Sequence, residues 1–436
     1  MKKKLFLMAG ISLFGAHIIL AQQGTTIRRT CASPAPDAAW DQWFNERVEE
    51  YKLKHENDKT EATYTIPVIV HIIHGGTAVG VGNNISAAQV QSQINILNND
   101  YGGTGAGTIP TVFQAAKAGN TGIQFCLALK GPTGTTLTEP GIERINFTTK
   151  GWADPGTQNS SNALQSLFDN TIKPASIWDP AKYLNLWVCD AYNSGLLGYA
   201  SFPSGTGLTG LTPPESAQNC GVVITNDAFG SVGTVLAPYN GGRTATHEIG
   251  HWLGLRHIWG DATCATDYCN DTPPQQKDNA GCPTHPYHLG TCSGNTTGEM
   301  FMNFMDYTND ACMSLFSSDQ KTRLQTAMAN GTYRKLLGTH SLCSPTGTES
   351  VDLLNNSVAL FPNPANGNFN IDFTMQQPAD LTIKILNTLG QVVLTRSEKA
   401  VTTKRINIDL AAYPKGMYII TIGDERSLLS KKILID

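Results

Sequence analysis

One eleven-residue stretch constrains this chain more than any other: His247-Glu248-Ile249-Gly250-His251-Trp252-Leu253-Gly254-Leu255-Arg256-His257. His247 and His251 are four residues apart, so a helix places both imidazoles on one face. That spacing suits two nitrogens on one Zn²⁺ at about 2.0–2.1 Å each. Glu248 follows the first ligand, where its carboxylate reaches a water on the ion without ligating the ion itself. Gly254 tolerates a positive φ, so it ends the helix and lets the turn swing His257 back as a third ligand. Three imidazoles leave a fourth position open, the arrangement of a catalytic rather than a structural zinc. In such a site the water is acidified and a carbonyl polarised. Glu248 then takes the water's proton and passes it to the leaving amine, so an amide is hydrolysed. Two plainer readings compete: a helix with core or solvated histidines, and a site that binds zinc without cutting. Five fixed positions in so short a stretch arise by chance with odds on the order of one in 10⁴. Glu248 argues against a silent site.

Length and composition bound the rest. A chain of 436 residues suggests about three domains, and 40% hydrophobic with 15% charged residues is apolar enough for a large core. A net charge of −4 offers no basic surplus for nucleic acid. Lys2, Lys3 and Lys4 precede an apolar run from Leu5 to Leu20, broken by Ser12 and His17 and closed by Ala21. This is the pattern of a secretory signal peptide over residues 1–21. No other segment approaches 18 apolar residues, so no stable membrane span is expected. An exported chain allows its ten cysteines to oxidise.

Along the chain, residues 22–60 are polar and charged, with one helical pattern around Trp40 to Leu53. The β-branched run Thr63 to His74 reads as a buried strand, and Ser86 to Tyr101 as a Ser-capped helix. Further strands are expected at Ile123 to Lys130, Tyr183 to Ala191 and Gly221 to Thr225. Helices are expected at Thr244 to Leu255 and Ser317 to Leu337, with a Cys/Gly/Pro-rich loop from Gly260 to Thr297 between them. Strands interleaved with helices give an α/β (α+β) core over residues 61–340. A polar linker over 341–357 leads to short alternating strands over 358–436: Phe369 to Phe373, Leu381 to Leu386, Gln391 to Thr395, Arg405 to Leu410 and Met417 to Ile422. That spacing predicts a small all-β sandwich.

The zinc motif, followed by Phe304-Met305-Asp306-Tyr307, resembles the metzincin metallopeptidases. Asn303 to Thr308, then Asp310-Ala311-Cys312-Met313-Ser314-Leu315-Phe316 and Gln320, together with Asp267-Tyr268-Cys269-Asn270-Asp271-Thr272-Pro273 and Gly281-Cys282-Pro283, is similar to the pappalysin family among them. The resemblance covers roughly Thr63 to Leu337. It implies a twisted mixed sheet with an active-site helix, and Met305 lying beneath the zinc in a Met-turn. It implies Tyr307 near the metal or the oxyanion. It places Asp310 at the floor of the S1′ pocket, where a carboxylate pairs with a guanidinium or ammonium. Cleavage N-terminal to Arg, with Lys second, follows as an expectation. It also implies structural Ca²⁺ on the oxygens of Asp267, Cys269, Asp271 and Thr272. Cys269 stands there in place of an aliphatic residue, and Asn270 removes one possible charge. The implied disulfides are Cys264–Cys292 and Cys282–Cys312; the pairing of Cys126, Cys189, Cys220, Cys269 and Cys343 stays open. The metzincin likeness further assigns Gly221 to Thr225 as the sheet edge that binds extended substrate.

Arg28-Arg29-Thr30-Cys31 resembles the cysteine switch of pappalysin-type zymogens, in which a thiolate fills the open zinc position and an Arg stands two residues before it; the plainer reading places Cys31 in a disulfide. With such a switch, residues 22–60 would be a pro-segment, cut near Lys54 to Lys59. Leu360-Phe361-Pro362-Asn363-Pro364-Ala365, with Leu389-Gly390-Gln391 and Pro414-Lys415-Gly416-Met417-Tyr418, resembles the type A sorting domain of type IX secretion. That resemblance implies export from a Gram-negative bacterium through its periplasm by the type IX machinery. The expectation is a secreted zinc endopeptidase acting on peptide and protein chains. The alternative is a silent adhesin or protein-binding module with a structural zinc.

Overall fold

A computed structural model describes residues 29–58, 62–105, 107–205, 215–340, 342–343, 358–387, 391–423 and 428–436. The expected signal peptide and most of the expected linker lie outside them. The sheet of the larger unit contains β1 (Tyr64–His74), β2 (Ile123–Leu127), β3 (Ile142–Asn146), β4 (Leu184–Cys189), β5 (Gly198–Ala200) and β6 (Val222–Thr225). Its order is β2-β1-β4-β6-β5, with β3 pairing the far half of β1. All pairings are parallel except β5 with β6, so the sheet is mixed. Residues Ile66 to Ile73 of β1 are buried on both faces. Ile66, Val68, Val70 and Ile72 join the core that holds the active-site helix, while Ile73 packs with Phe168 and Trp187 on the other side. Burial on both faces is why β1 reads as an unbroken apolar run rather than an alternation.

One expectation is corrected here. The segment Gly221 to Thr225 is not the edge: β6 lies between β4 and β5, and the three-residue β5 is the edge strand. So short a strand carries too little pattern to be read from sequence. The helices fall at Ala38–His55, Ala87–Tyr101 and Ser318–Asn330, each N-capped by an Asp or Ser side chain. A π-interrupted helical run, Ser161–Ser176, and strand β3 were not expected. The Ala38–His55 helix does not stand alone: Trp40, Phe44 and Val48 are buried in the main core.

The C-terminal unit is an all-antiparallel sandwich with its own core, built from β7 (Val358–Phe361), β8 (Asn368–Leu386), β9 (Val392–Asp409), β10 (Gly416–Gly423) and β11 (Leu428–Ile435). The expected short strands merge into the long β8 and β9, which stay paired through β-bulges instead of breaking at turns. Among the described residues no helix is long and apolar enough to cross a membrane.

Candidate active site

The active-site helix runs Arg243–Trp252 and is buried throughout from Thr244. Gly254 adopts φ +85°, and a Cβ there would lie 2.6 Å from Phe44. The chain therefore turns and brings His257 back to the two helical histidines. Each ring is held by its Nδ1: His247 to the Phe304 carbonyl at 2.7 Å, His251 to the Leu255 carbonyl at 2.8 Å, and His257 to the Asp261 carboxylate. Those acceptors put the proton on Nδ1 and leave the three Nε2 lone pairs facing one another. His251 Nε2 stands 3.2 Å from that of His247 and 3.1 Å from that of His257. Facing lone pairs at that distance do not form hydrogen bonds. Ligands around one tetrahedral zinc at about 2.0–2.1 Å sit about 3.3 Å apart, so the donor set fits that ion. Burial and the neighbouring His257 push His251 down to about 3, and burial holds His247 well below its usual value. Both rings are thereby neutral, as ligands must be.

The Cys31 sulfur joins the cluster, all four donor atoms lying within 4.8 Å of one another. Its segment runs parallel to β5: Leu197 N donates to Thr30 O and Ala32 N to Gly198 O, each at 3.2 Å. Ser33 Oγ donates to Glu248 at 2.9 Å, and the Cys31 sulfur lies 3.3 Å from the same carboxylate oxygen. Burial raises Glu248 to about 7 against these two hydrogen bonds.

Met305 is fully buried beneath the helix, and a Cβ on Gly250 would come within 2.5 Å of its sulfur. The same turn supplies the Phe304 carbonyl that orients His247, while Ile258 N donates to Met305 O at 3.2 Å. Tyr307 Oη lies 3.2 Å from His257 Nε2 and 3.5 Å from the Cys31 carbonyl. Asp310 is 2% exposed, and one of its oxygens accepts the N–H groups of Gly241 at 2.8 Å and Arg243 at 3.1 Å. Its other oxygen takes the guanidinium of Arg29, itself 1% exposed. Arg29 also donates to Thr244 Oγ1 at 3.1 Å and lies over the Tyr239 ring at 5.0 Å.

In the Asp267 to Thr272 loop, Thr272 Oγ1 stands 2.9 and 3.0 Å from the two Asp267 oxygens and 3.0 Å from the Cys269 carbonyl. The Asp271 carboxylate turns away to cap the Ser318–Asn330 helix, accepting from Ser317 Oγ and Asp319 N. Disulfides join Cys264 to Cys292, Cys282 to Cys312 and Cys126 to Cys343, leaving Cys31, Cys189, Cys220 and Cys269 free. Sequence reasoning missed Asp261, Ser33 and β5. Asp261 had a signal: an acid four residues past a ligand histidine is a natural Nδ1 acceptor.

A family model described as pregnancy-associated plasma protein-A, of the peptidase M43 class, matches residues 166–329. One described as a secretion system C-terminal sorting domain matches residues 359–436. An extracellular metalloprotease of Arthroderma otae is 28% identical over 320 residues, which are 73% of this chain and 96% of that protein. Mature mirolysin of Tannerella forsythia with a cleaved peptide is 37% identical, at TM-score 0.55, covering 66% of this chain and all of that one. Promirolysin of the same organism is 34% identical, at TM-score 0.59, covering 73% of this chain and all of that one. The chain belongs to the pappalysin family of metalloendopeptidases and carries a C-terminal secretion sorting domain.

Proposed function

We propose that this metalloendopeptidase is secreted as a latent zymogen and, once freed of residues 22–60, cleaves accessible polypeptides N-terminal to Arg, with Lys second. The observation that carries the reading is the seating of Arg29 on Asp310 while Cys31 faces the three histidines. A guanidinium already sits on Asp310, two residues before the thiol that faces the three histidines. The greater coverage by promirolysin than by the mature enzyme (73% against 66%) supports a removable segment in this region.

In the active form His247, His251 and His257 would hold zinc, which supplies a Lewis acid for water and carbonyl. Glu248 would accept the proton of the attacking water and deliver it to the leaving nitrogen. Tyr307, 3.2 Å from His257 Nε2, would donate its hydroxyl to the developing oxyanion. Edge strand β5 would align the substrate by main-chain pairing. In the latent form Cys31 would occupy the fourth ligand position while Ser33 ties up Glu248. Calcium would sit on Asp267, the Cys269 carbonyl and Thr272, whose oxygens converge; Asp271 contributes only if its cap opens. The C-terminal domain would hand the chain to the type IX machinery after passage through the periplasm of a Gram-negative bacterium. An adhesin with a structural zinc would have no use for the carboxylate of Glu248 beside the three histidines.

The test digests an unfolded protein mixture with the full chain activated by limited proteolysis, beside the Glu248→Ala variant, and maps every cut by mass spectrometry. Cuts before Arg or Lys that vanish in the variant are expected. Cuts before other residues would sink the Asp310 assignment. No cuts from zinc-loaded material would sink the mechanism.

A further inference from the structure

The pro-segment makes a second buried ion pair, of opposite polarity to Arg29–Asp310. Arg256, the residue before the third ligand, is 7% exposed. It grips Asp41 of the Ala38–His55 helix with two nitrogens, Nη2 at 2.5 Å and Nε at 3.1 Å. Nη2 also donates to the Pro36 carbonyl at 2.7 Å. Among the described residues outside 29–58, its hydrogen-bond partner is Asp261, at 3.3 Å, and Asp261 is already engaged by His257. The neighbourhood adjoins the metal site. Trp40, beside Asp41, packs edge-on against Phe202 at 5.4 Å, and Phe202 lies 5.3 Å from His251.

Order along the pro-segment fixes the side. Arg29 fills the Asp310 pocket, Cys31 faces the histidines, and Pro36 and Asp41 reach Arg256. A substrate with its P1′ residue on Asp310 and its scissile bond at the metal must therefore place its N-terminal side toward Arg256. Removing residues 22–60 strips this guanidinium of its bidentate carboxylate and of a carbonyl, leaving one shared acid. A planar fork suited to a carboxylate is then left without its partner beside the metal site.

We propose that Arg256 is a second specificity determinant, which binds an Asp or Glu side chain of the substrate about three to five residues before the scissile bond. The distance follows from an extended chain spanning Cys31 to Pro36 at about 3.3 Å per residue. The proposal rests on reading residues 22–60 as removable and Asp310 as the P1′ pocket. The enzyme's preferred substrates are then polypeptides with an acid upstream of Arg, copying the charge order of its own pro-segment in reverse.

The experiment uses the activated full chain and peptides with a fixed Arg at P1′. Asp, Asn or Lys is scanned through the six upstream positions. At one register Asp should exceed Lys by about tenfold in kcat/KM, mostly through KM, and the ratio should shrink with salt. In Arg256→Gln, checked for bound zinc, the ratio should fall within twofold. A structural role alone would lower all peptides together and leave the ratio unchanged. If Arg256→Gln fails to fold, the wild-type Asp-to-Lys ratio and its salt dependence still decide. Cutting before Arg with no upstream charge preference in any register overturns the proposal and spares the P1′ reading. No cutting of any peptide overturns both.

Discussion

Replacing Arg29 by Ala in the full chain should raise the opening of residues 29–58 away from the histidines by about two to four orders of magnitude. The native pair is between side chains of 1% and 2% exposure, so both charges are desolvated. The substitution removes the guanidinium's bonds to Asp310 and Thr244 and its stacking on Tyr239. It leaves a buried carboxylate facing a void, while Gly241 and Arg243 still donate to its other oxygen. Removing one member of a buried pair costs about 3–5 kcal/mol. Opening the segment lets water reach Asp310, so that cost falls on the closed state only. At about 1.4 kcal/mol per decade, opening rises roughly 10²- to 10⁴-fold. The assay is the rate at which Cys31 reacts with a thiol reagent. Cys189, Cys220 and Cys269 are buried and stay slow, so one fast thiol reports the local opening. A rate within twofold of the wild type would refute the claim that Arg29 anchors the segment. Asp310→Asn combined with Arg29→Ala should then cost less than Arg29→Ala alone, since the second change removes the stranded carboxylate.

Three further outcomes are expected. Asp261→Asn takes the charged acceptor from His257 and should weaken zinc retention about 10- to 100-fold in chelator competition; unchanged retention would show that His257 needs no such partner. Gly250→Ala drives a methyl to 2.5 Å from Met305 Sδ, so despite a better helix former it should destabilise by about 1–2 kcal/mol and lower the melting temperature by a few degrees; an unchanged melt would mean Met305 moves freely. Burial raises Asp267 to about 7 against hydrogen bonds from Cys269 and Thr272, so the folded carboxyl keeps a proton that the unfolded chain releases near 4. Its stabilising effect is full at low pH and lost as pH climbs through 4 to 7. In calcium-free buffer the wild type should therefore lose ground to Asp267→Asn between pH 5 and 8 in paired unfolding curves, and calcium should restore it at pH 8. A difference independent of pH would remove Asp267 from that account.

The zinc cluster was legible because the helix period and a glycine turn act within eleven residues, where sequence spacing is distance. The Arg29–Asp310 contact was half legible. The carboxylate and the arginine before Cys31 were each visible, yet nothing in sequence joined residues 281 positions apart. Arg256–Asp41 is similar, a pair separated by 215 positions and set by how one helix docks. Strand β5 was invisible for another reason: three residues hold no periodicity, and only pairing with β6 makes them a strand.

The Cys126–Cys343 bond closes a covalent ring of the chain, with a sequence separation of 217. His247, His251, His257, Glu248, Tyr307, Asp310 and strand β5 all lie inside it. Cys31 and its helix lie before it, and the sorting domain lies after it. Trimming at either terminus thus leaves the ring whole. A cut in any loop between 126 and 343, by contrast, releases no fragment until a reductant opens the bond. A single nick inside this ring would therefore pass unseen on a non-reducing gel and show only after reduction.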